Sequence, residues 1–83
     1  MKSCTLVLEY NYSKPGAKDL GSVWIHPGDA RTDLQGSTPL SERAGWTKII
    51  GPVEYQIAAE THAKLKTFLI SAGVLVLDEG IAD

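Results

Sequence analysis

Gly51-Pro52-Val53-Glu54-Tyr55-Gln56-Ile57-Ala58 admits two readings, and the strand count of the fold turns on the choice. Read with a period of two, Val53, Tyr55 and Ile57 share one face of a strand that follows a Gly-Pro kink, and a helix starts near Ala59. Read with a period of 3.6, Gly51 caps a helix, Pro52 is its first residue and Glu54 complements the dipole in its first turn. That helix runs unbroken to Ala72, with Val53, Ile57, Thr61, Leu65, Phe68 and Ala72 on one stripe. Periodicity satisfies both. The strand reading is preferred, because Val, Tyr and Ile at alternate positions are better strand than helix formers.

Downstream the two readings merge. Residues 59–72 form a helix whose apolar face carries Leu65, Phe68, Leu69 and Ala72, with Glu60 and Lys64 as an i,i+4 pair. Gly73 is the expected left-handed terminator. Val74-Leu75-Val76-Leu77 is a short strand, apolar on both faces, and reads as central or covered. Asp78-Glu79-Gly80 ends it, and residues 79–83 read as a frayed tail.

Upstream, residues 46–50 are β-like. Residues 38–44 read as one or two helical turns, with Thr38 as the cap, Pro39 as the first helical residue and Gly45 as the stop. Residues 5–12 alternate: Leu6, Leu8, Tyr10 and Tyr12 against Thr5, Val7, Glu9 and Asn11. That is a half-buried strand. Ser13-Lys14-Pro15-Gly16 is a turn, and residues 20–26 form a second strand that pairs with the first as a hairpin. Between residues 13 and 45 the chain otherwise lacks periodicity, so this stretch reads as a loop-rich insertion in one compact domain, residues 1–83.

The fold expected is α+β: a small antiparallel or mixed sheet of four to five strands, with one C-terminal helix packed on one face. Its core is Leu6, Leu8, Tyr10, Val23, Ile25, Ile49 and Val76, covered by Leu65, Phe68 and Leu69. The strand at residues 5–12 would pair openly if left at an edge, so a homodimer by strand edge pairing is an expectation too.

Composition narrows the function classes. With 83 residues, 43% of them hydrophobic and 22% charged, the chain is a soluble globular domain near the lower limit for a self-sufficient core. A net charge of −2 disfavours direct nucleic-acid binding, which needs a basic face. The single cysteine, Cys4, allows neither an internal disulfide nor a cysteine-based zinc site, and reads as a small buried strand residue in a reducing compartment. No apolar run approaches membrane-spanning length, and no signal core follows Met1. The expectation is a cytoplasmic protein, in the host cell if the chain is phage-encoded.

The chemistry on offer is sparse. His26, Asp29 and Asp33 bring one nitrogen and two carboxylates, but their spacing matches no established metal site. His62 reads as a boundary residue of the helix with one hydrogen bond. No serine or cysteine stands in a nucleophile elbow, and no glycine-rich phosphate loop is present. Asp78 and Glu79 are adjacent on a strand, so they point to opposite faces. Trp24 and Trp46 suit the core of so small a domain. Alternatively Trp24, with Ile25, His26 and Arg31, forms a protruding aromatic-and-arginine patch of the kind that dominates binding hot spots.

The expected function is therefore a non-enzymatic protein-binding module that acts through its loop surface, without a cofactor. Trp24, His26, Asp29, Arg31, Asp33 and Arg43 are its candidate partner-binding residues. A small inhibitor or accessory factor of the phage or mobile-element type, directed at a host complex such as a nucleic-acid-guided defence system (anti-CRISPR-like), fits that description. The alternatives are a structural or assembly subunit of virion type, and a small metal-dependent enzyme around His26 and Asp29.

Overall fold

The computed structural model describes residues 1–11 and 20–82. The turn at Ser13-Lys14-Pro15-Gly16 lies outside the described residues, as do Tyr12, Lys18, Asp19 and Asp83. The elements in order are β1 (Ser3–Asn11), β2 (Leu20–Pro27), two 3-10 turns (Arg31–Leu34 and Leu40–Glu42), β3 (Thr47–Glu54), α1 (Tyr55–Ser71) and β4 (Leu75–Ala82). They form a four-stranded mixed sheet of order β3-β2-β1-β4 with one helix, a small α+β fold. The hairpin β1–β2 is antiparallel, β2–β3 is antiparallel, and β1–β4 is parallel. β3 and β4 therefore run the same way at opposite edges, and α1 supplies the long crossover that such a pair requires.

The ambiguous stretch resolves between its two readings. Val53 and Glu54 close β3, and Tyr55 opens α1, so the preferred strand over Val53, Tyr55 and Ile57 stops early. The reason lies across the sheet. Ala58 is fully buried over Gly21, where an added Cβ would lie 3.0 Å from the Ala58 Cβ and 3.2 Å from the Tyr55 ring. Two minimal residues let the first turn of the helix settle directly on β2. Tyr55 then meets the Tyr10 ring edge to face, with centroids 4.7 Å apart. This seating turns the helix: Ala58, His62, Leu65 and Leu69 point inward, while Phe68, expected in the core, is 68% exposed. Gly73, at φ 85°, ends α1 as expected. The Gly73 N–H donates to Ile70 O and the Val74 N–H to Leu69 O, the paired bonds of a Schellman cap.

Leu6, Val23 and Ala58 centre the core beneath the helix, with Leu8, Ile25, Ile50, Val53, Leu65 and Val76 around them. Ile49 was expected there, but it is 44% exposed. A register shift between Val23 and Trp24 in the β2–β3 ladder sets Ile50 opposite Val23 and Lys48 opposite Trp24, which leaves Ile49 outside.

The other face of the sheet is buried as well. Thr5 and Val7 are both fully buried, opposite the helix side of β1. Residues 28–46 fold back over them as a third layer. β1 is thus a central strand with both edges paired, so the homodimer expected through residues 5–12 has no open strand there. β4, expected to be central or covered, is an edge strand instead. It also continues to Ala82, with Glu79 through Ala82 in register against β1, where a frayed tail was expected. The helical turn expected at residues 38–44 contracts to the 3-10 turn Leu40–Glu42. Pro39 precedes it, and no side chain, Thr38 included, caps it. Among the described residues no helix is long and apolar enough to cross a membrane.

Candidate functional site

The layer over residues 28–46 holds or borders all six residues singled out from the sequence. It is fixed to the sheet in three ways. Thr5 Oγ1 donates to Gly28 O and accepts from the Ala30 N–H, both at 2.8 Å, so one buried hydroxyl satisfies two backbone groups where the chain leaves β2. Ala30, Leu40 and Trp46 pack with Val7 and Trp24 into a second core cluster, with Leu34 at its margin. Arg43 then ties the turn from within: Nε donates to Thr38 O at 2.8 Å and an Nη donates to Gln35 O at 3.1 Å.

Trp24 is 7% exposed, so the protruding patch read from the sequence is not what this residue makes. Its neighbours explain why. The indole Nε1–H donates to Glu9 Oε1 at 3.3 Å, and Lys48 Nζ lies 5.6 Å from the ring centroid. Lys48 and Glu9 act as polar rims around a core tryptophan. Trp46 is buried too, and its Nε1–H has no acceptor among the described residues. His26 is half-buried, with its ring 5.1 Å from that of Trp46 in an edge-on contact. Its Nδ1 lies 2.6 Å from Pro27 O, so the Nδ1–H tautomer makes that bond and Nε2 faces Gly45. Gly45 has φ 89° and no room for a side chain against the imidazole. His26 thus belongs to the seam between sheet and loop.

Asp29 and Arg31 do form an exposed pair. Arg31 Nε and Nη2 donate to the two Asp29 oxygens at 3.0 and 2.9 Å, and the Arg31 N–H adds a third bond at 3.2 Å. Each side chain keeps about half its surface open, at 50% and 51%. The Arg31 hydrogen bonds hold the Asp29 carboxyl below its ordinary value, and Asp29 in turn raises Arg31. Glu79, which the sequence placed at the start of a frayed tail, lies within electrostatic reach of Arg31. Asp33 is half-buried in the 3-10 turn, its N–H on Ala30 O. Among the described residues no three His, Cys, Asp or Glu side chains converge as metal ligands, so His26, Asp29 and Asp33 do not form the set that their sequence order suggested.

On the opposite face, Asp78 accepts from Lys66 Nζ and bonds His62 Nε2, both at 2.8 Å. This pins β4 to α1, and it places His62 at the core boundary with a carboxylate partner. Glu79 points to the loop side, as adjacent strand residues must. Burial pushes the Cys4 thiol up, away from the thiolate that reactivity needs.

A cleft of about 300 Å³ opens where the loop layer meets Glu9, lined by Leu34, Ser37, Thr38, Leu40 and Arg43 among others. Comparison with known protein families, with curated proteins and with solved structures finds no match to this chain.

Proposed function

We propose that the protein is a non-enzymatic protein-binding module whose contact surface is the outer side of residues 28–45. Asp29, Arg31 and Asp33 stand at its centre, and Arg43 holds its frame. One observation carries the reading: a segment almost without regular structure is tied to a sheet face by Thr5, by a two-tryptophan cluster and by the Arg43 clamp. Ordering a loop on binding costs about 1–2 kcal/mol per residue in backbone entropy alone. A layer already ordered by its own underside offers a partner a preformed surface. The exposed Asp29–Arg31 pair gives that surface directional polar contacts. Small size and mild acidity further suit an inhibitor of the phage or mobile-element type, acting on a host complex in the cytoplasm.

The test is affinity capture from the native host, or from a virus-infected cell, with wild-type protein and the Arg31→Glu and Asp29→Lys variants. The expected result is a protein captured by the wild type and lost by both variants, with unchanged circular dichroism and Tm. Equal capture by all three would remove the loop surface from consideration.

A further inference from the structure

The two edges of the sheet are built differently. β3 carries Pro52, which brings no N–H, and Lys48, and its ladder with β2 shifts register twice. Proline, lysine and bulges are the devices that keep an edge from pairing with another chain. β4 has none of them. Its sequence, Leu75-Val76-Leu77-Asp78-Glu79-Gly80-Ile81-Ala82, contains no proline and no lysine, and its register with β1 is unbroken from end to end.

The free hydrogen-bonding groups of this edge can be assigned. The Leu75 N–H donates to Lys2 O at 2.9 Å, toward β1. In a parallel ladder alternate residues turn both backbone groups to the same neighbour. Leu75, Leu77 and Glu79 therefore bond β1, and Val76, Asp78 and Gly80 present N–H and C=O outward. None of the turn, loop or cap hydrogen bonds among the described residues reaches those three.

Charge decides the occupant. β4 carries two acids and no base. A second copy pairing two-fold and antiparallel would centre on Leu77, Asp78 or Glu79. Asp78 or Glu79 at the centre sets an acid directly against its own copy, and Leu77 at the centre pairs only residues 75–79 and sets both acids against apolar partners, Asp78 opposite Val76 and Glu79 opposite Leu75. Asp78 is drawn toward α1 by Lys66 and His62, whereas Glu79 faces the loop side, where the turn Arg31–Leu34 borders β4. We infer that β4 is a docking edge that takes an extended segment of a partner protein as a fifth strand, with Lys or Arg opposite Glu79 and apolar residues opposite Val76. This rests on the reading of the protein as a binding module, and it names the form and charge of what it binds.

The test is an NMR titration of isotope-labelled protein with two synthetic peptides, acetyl-Lys-Val-Lys-Val-Lys-Val-Lys-amide and its glutamate counterpart. The lysine peptide should shift the amides of Val76, Asp78 and Gly80, slow their exchange, and bind at least tenfold more tightly than the glutamate peptide. Glu79→Lys should reverse that preference. Gly80→Pro removes one outward donor and should abolish binding, whereas Phe68→Ala, on the exposed flank of α1, should leave it. Equal binding of both peptides, or no shift with either, overturns strand addition. Shifts confined to residues 28–45 also overturn it while leaving the loop-surface reading intact. Protected β4 amides in a free protein that sediments as a dimer would mean that a second copy fills the edge, which overturns it as well. Loss of all partner capture would instead count against the binding-module reading itself.

Discussion

Truncating Trp24 tests whether residues 28–46 form a second core layer or a loose loop. The ring is 7% exposed and sits among Val7, Ala30, Leu40 and Trp46, so Trp24→Ala leaves a cavity the size of an indole between sheet and loop. Removing a buried tryptophan in this way costs about 3–5 kcal/mol. The same change removes the indole donor from Glu9 and the ring from Lys48, the latter a loss of about 0.5–1 kcal/mol. A domain of 83 residues has a total stability of about 4–12 kcal/mol. The variant should therefore sit near the threshold of folding, with Tm lower by at least about 12 °C at roughly 4–8 °C per kcal/mol.

Phe68→Ala is the control, because Phe68 is 68% exposed on the outer flank of α1. It should cost no more than about 0.5 kcal/mol, as surface substitutions do. Urea unfolding followed by circular dichroism measures both, with the slope of the transition checked for two-state behaviour. If Trp24→Ala loses less than about 1 kcal/mol, the second core cluster is refuted; if Phe68→Ala loses more than Trp24→Ala, the helix seating is refuted.

Two further predictions concern the helix face. Gly21→Ala should destabilise by about 1–3 kcal/mol through overpacking against Ala58 and Tyr55, and Ala58→Gly in the same chain should recover part of the loss; additive costs in a denaturation cycle would show that the two residues do not touch. For Asp78, burial alone would raise the carboxyl, but the hydrogen bonds from Lys66 and His62 outweigh it and hold the group below 3.8. A depressed carboxyl adds stability above its unfolded value and loses it as pH falls through the folded one, so the gap between wild type and Asp78→Asn should close below about pH 4. A gap that stays constant down to pH 2 would show that the Asp78 contacts do not stabilise the fold.

Much of the architecture was legible because period two and period 3.6 are read from side chains that obey one face at a time. The hairpin, the helix end at Gly73 and most of the core beneath α1 follow from that. The misplacements share a cause: each depends on small residues or on a partner strand. Ala58 over Gly21 turns Phe68 outward, and neither residue carries a hydrophobic signal strong enough to announce a contact. The register shift that expels Ile49 is a property of the β2–β3 pair, which no single strand records. Cys4-Thr5-Leu6-Val7-Leu8 is apolar on both faces, the mark of a central strand covered on two sides. For the site, spacing along the chain put Trp24, His26 and Arg31 together, but a tryptophan and an arginine seven residues apart can face opposite sides of a loop, and here they do so in effect: one is core, the other surface.

That division follows from how a short chain covers a second sheet face. Between β2 and β3 the residues 28–46 cover that face with two short 3-10 turns and no second amphipathic helix. Two tryptophans solve the problem with area instead of length. Trp24 from the sheet and Trp46 from the end of the loop need only Ala30, Leu40 and Leu34 between them to exclude water from Val7. Few of residues 28–46 are then committed to the core, and the rest are released from packing while still held in place. Such a layer can change its exposed residues at small cost to stability. The same underside that buries Trp24 thus leaves Asp29 and Arg31 at the surface for the proposed contact, with the β4 edge beside them.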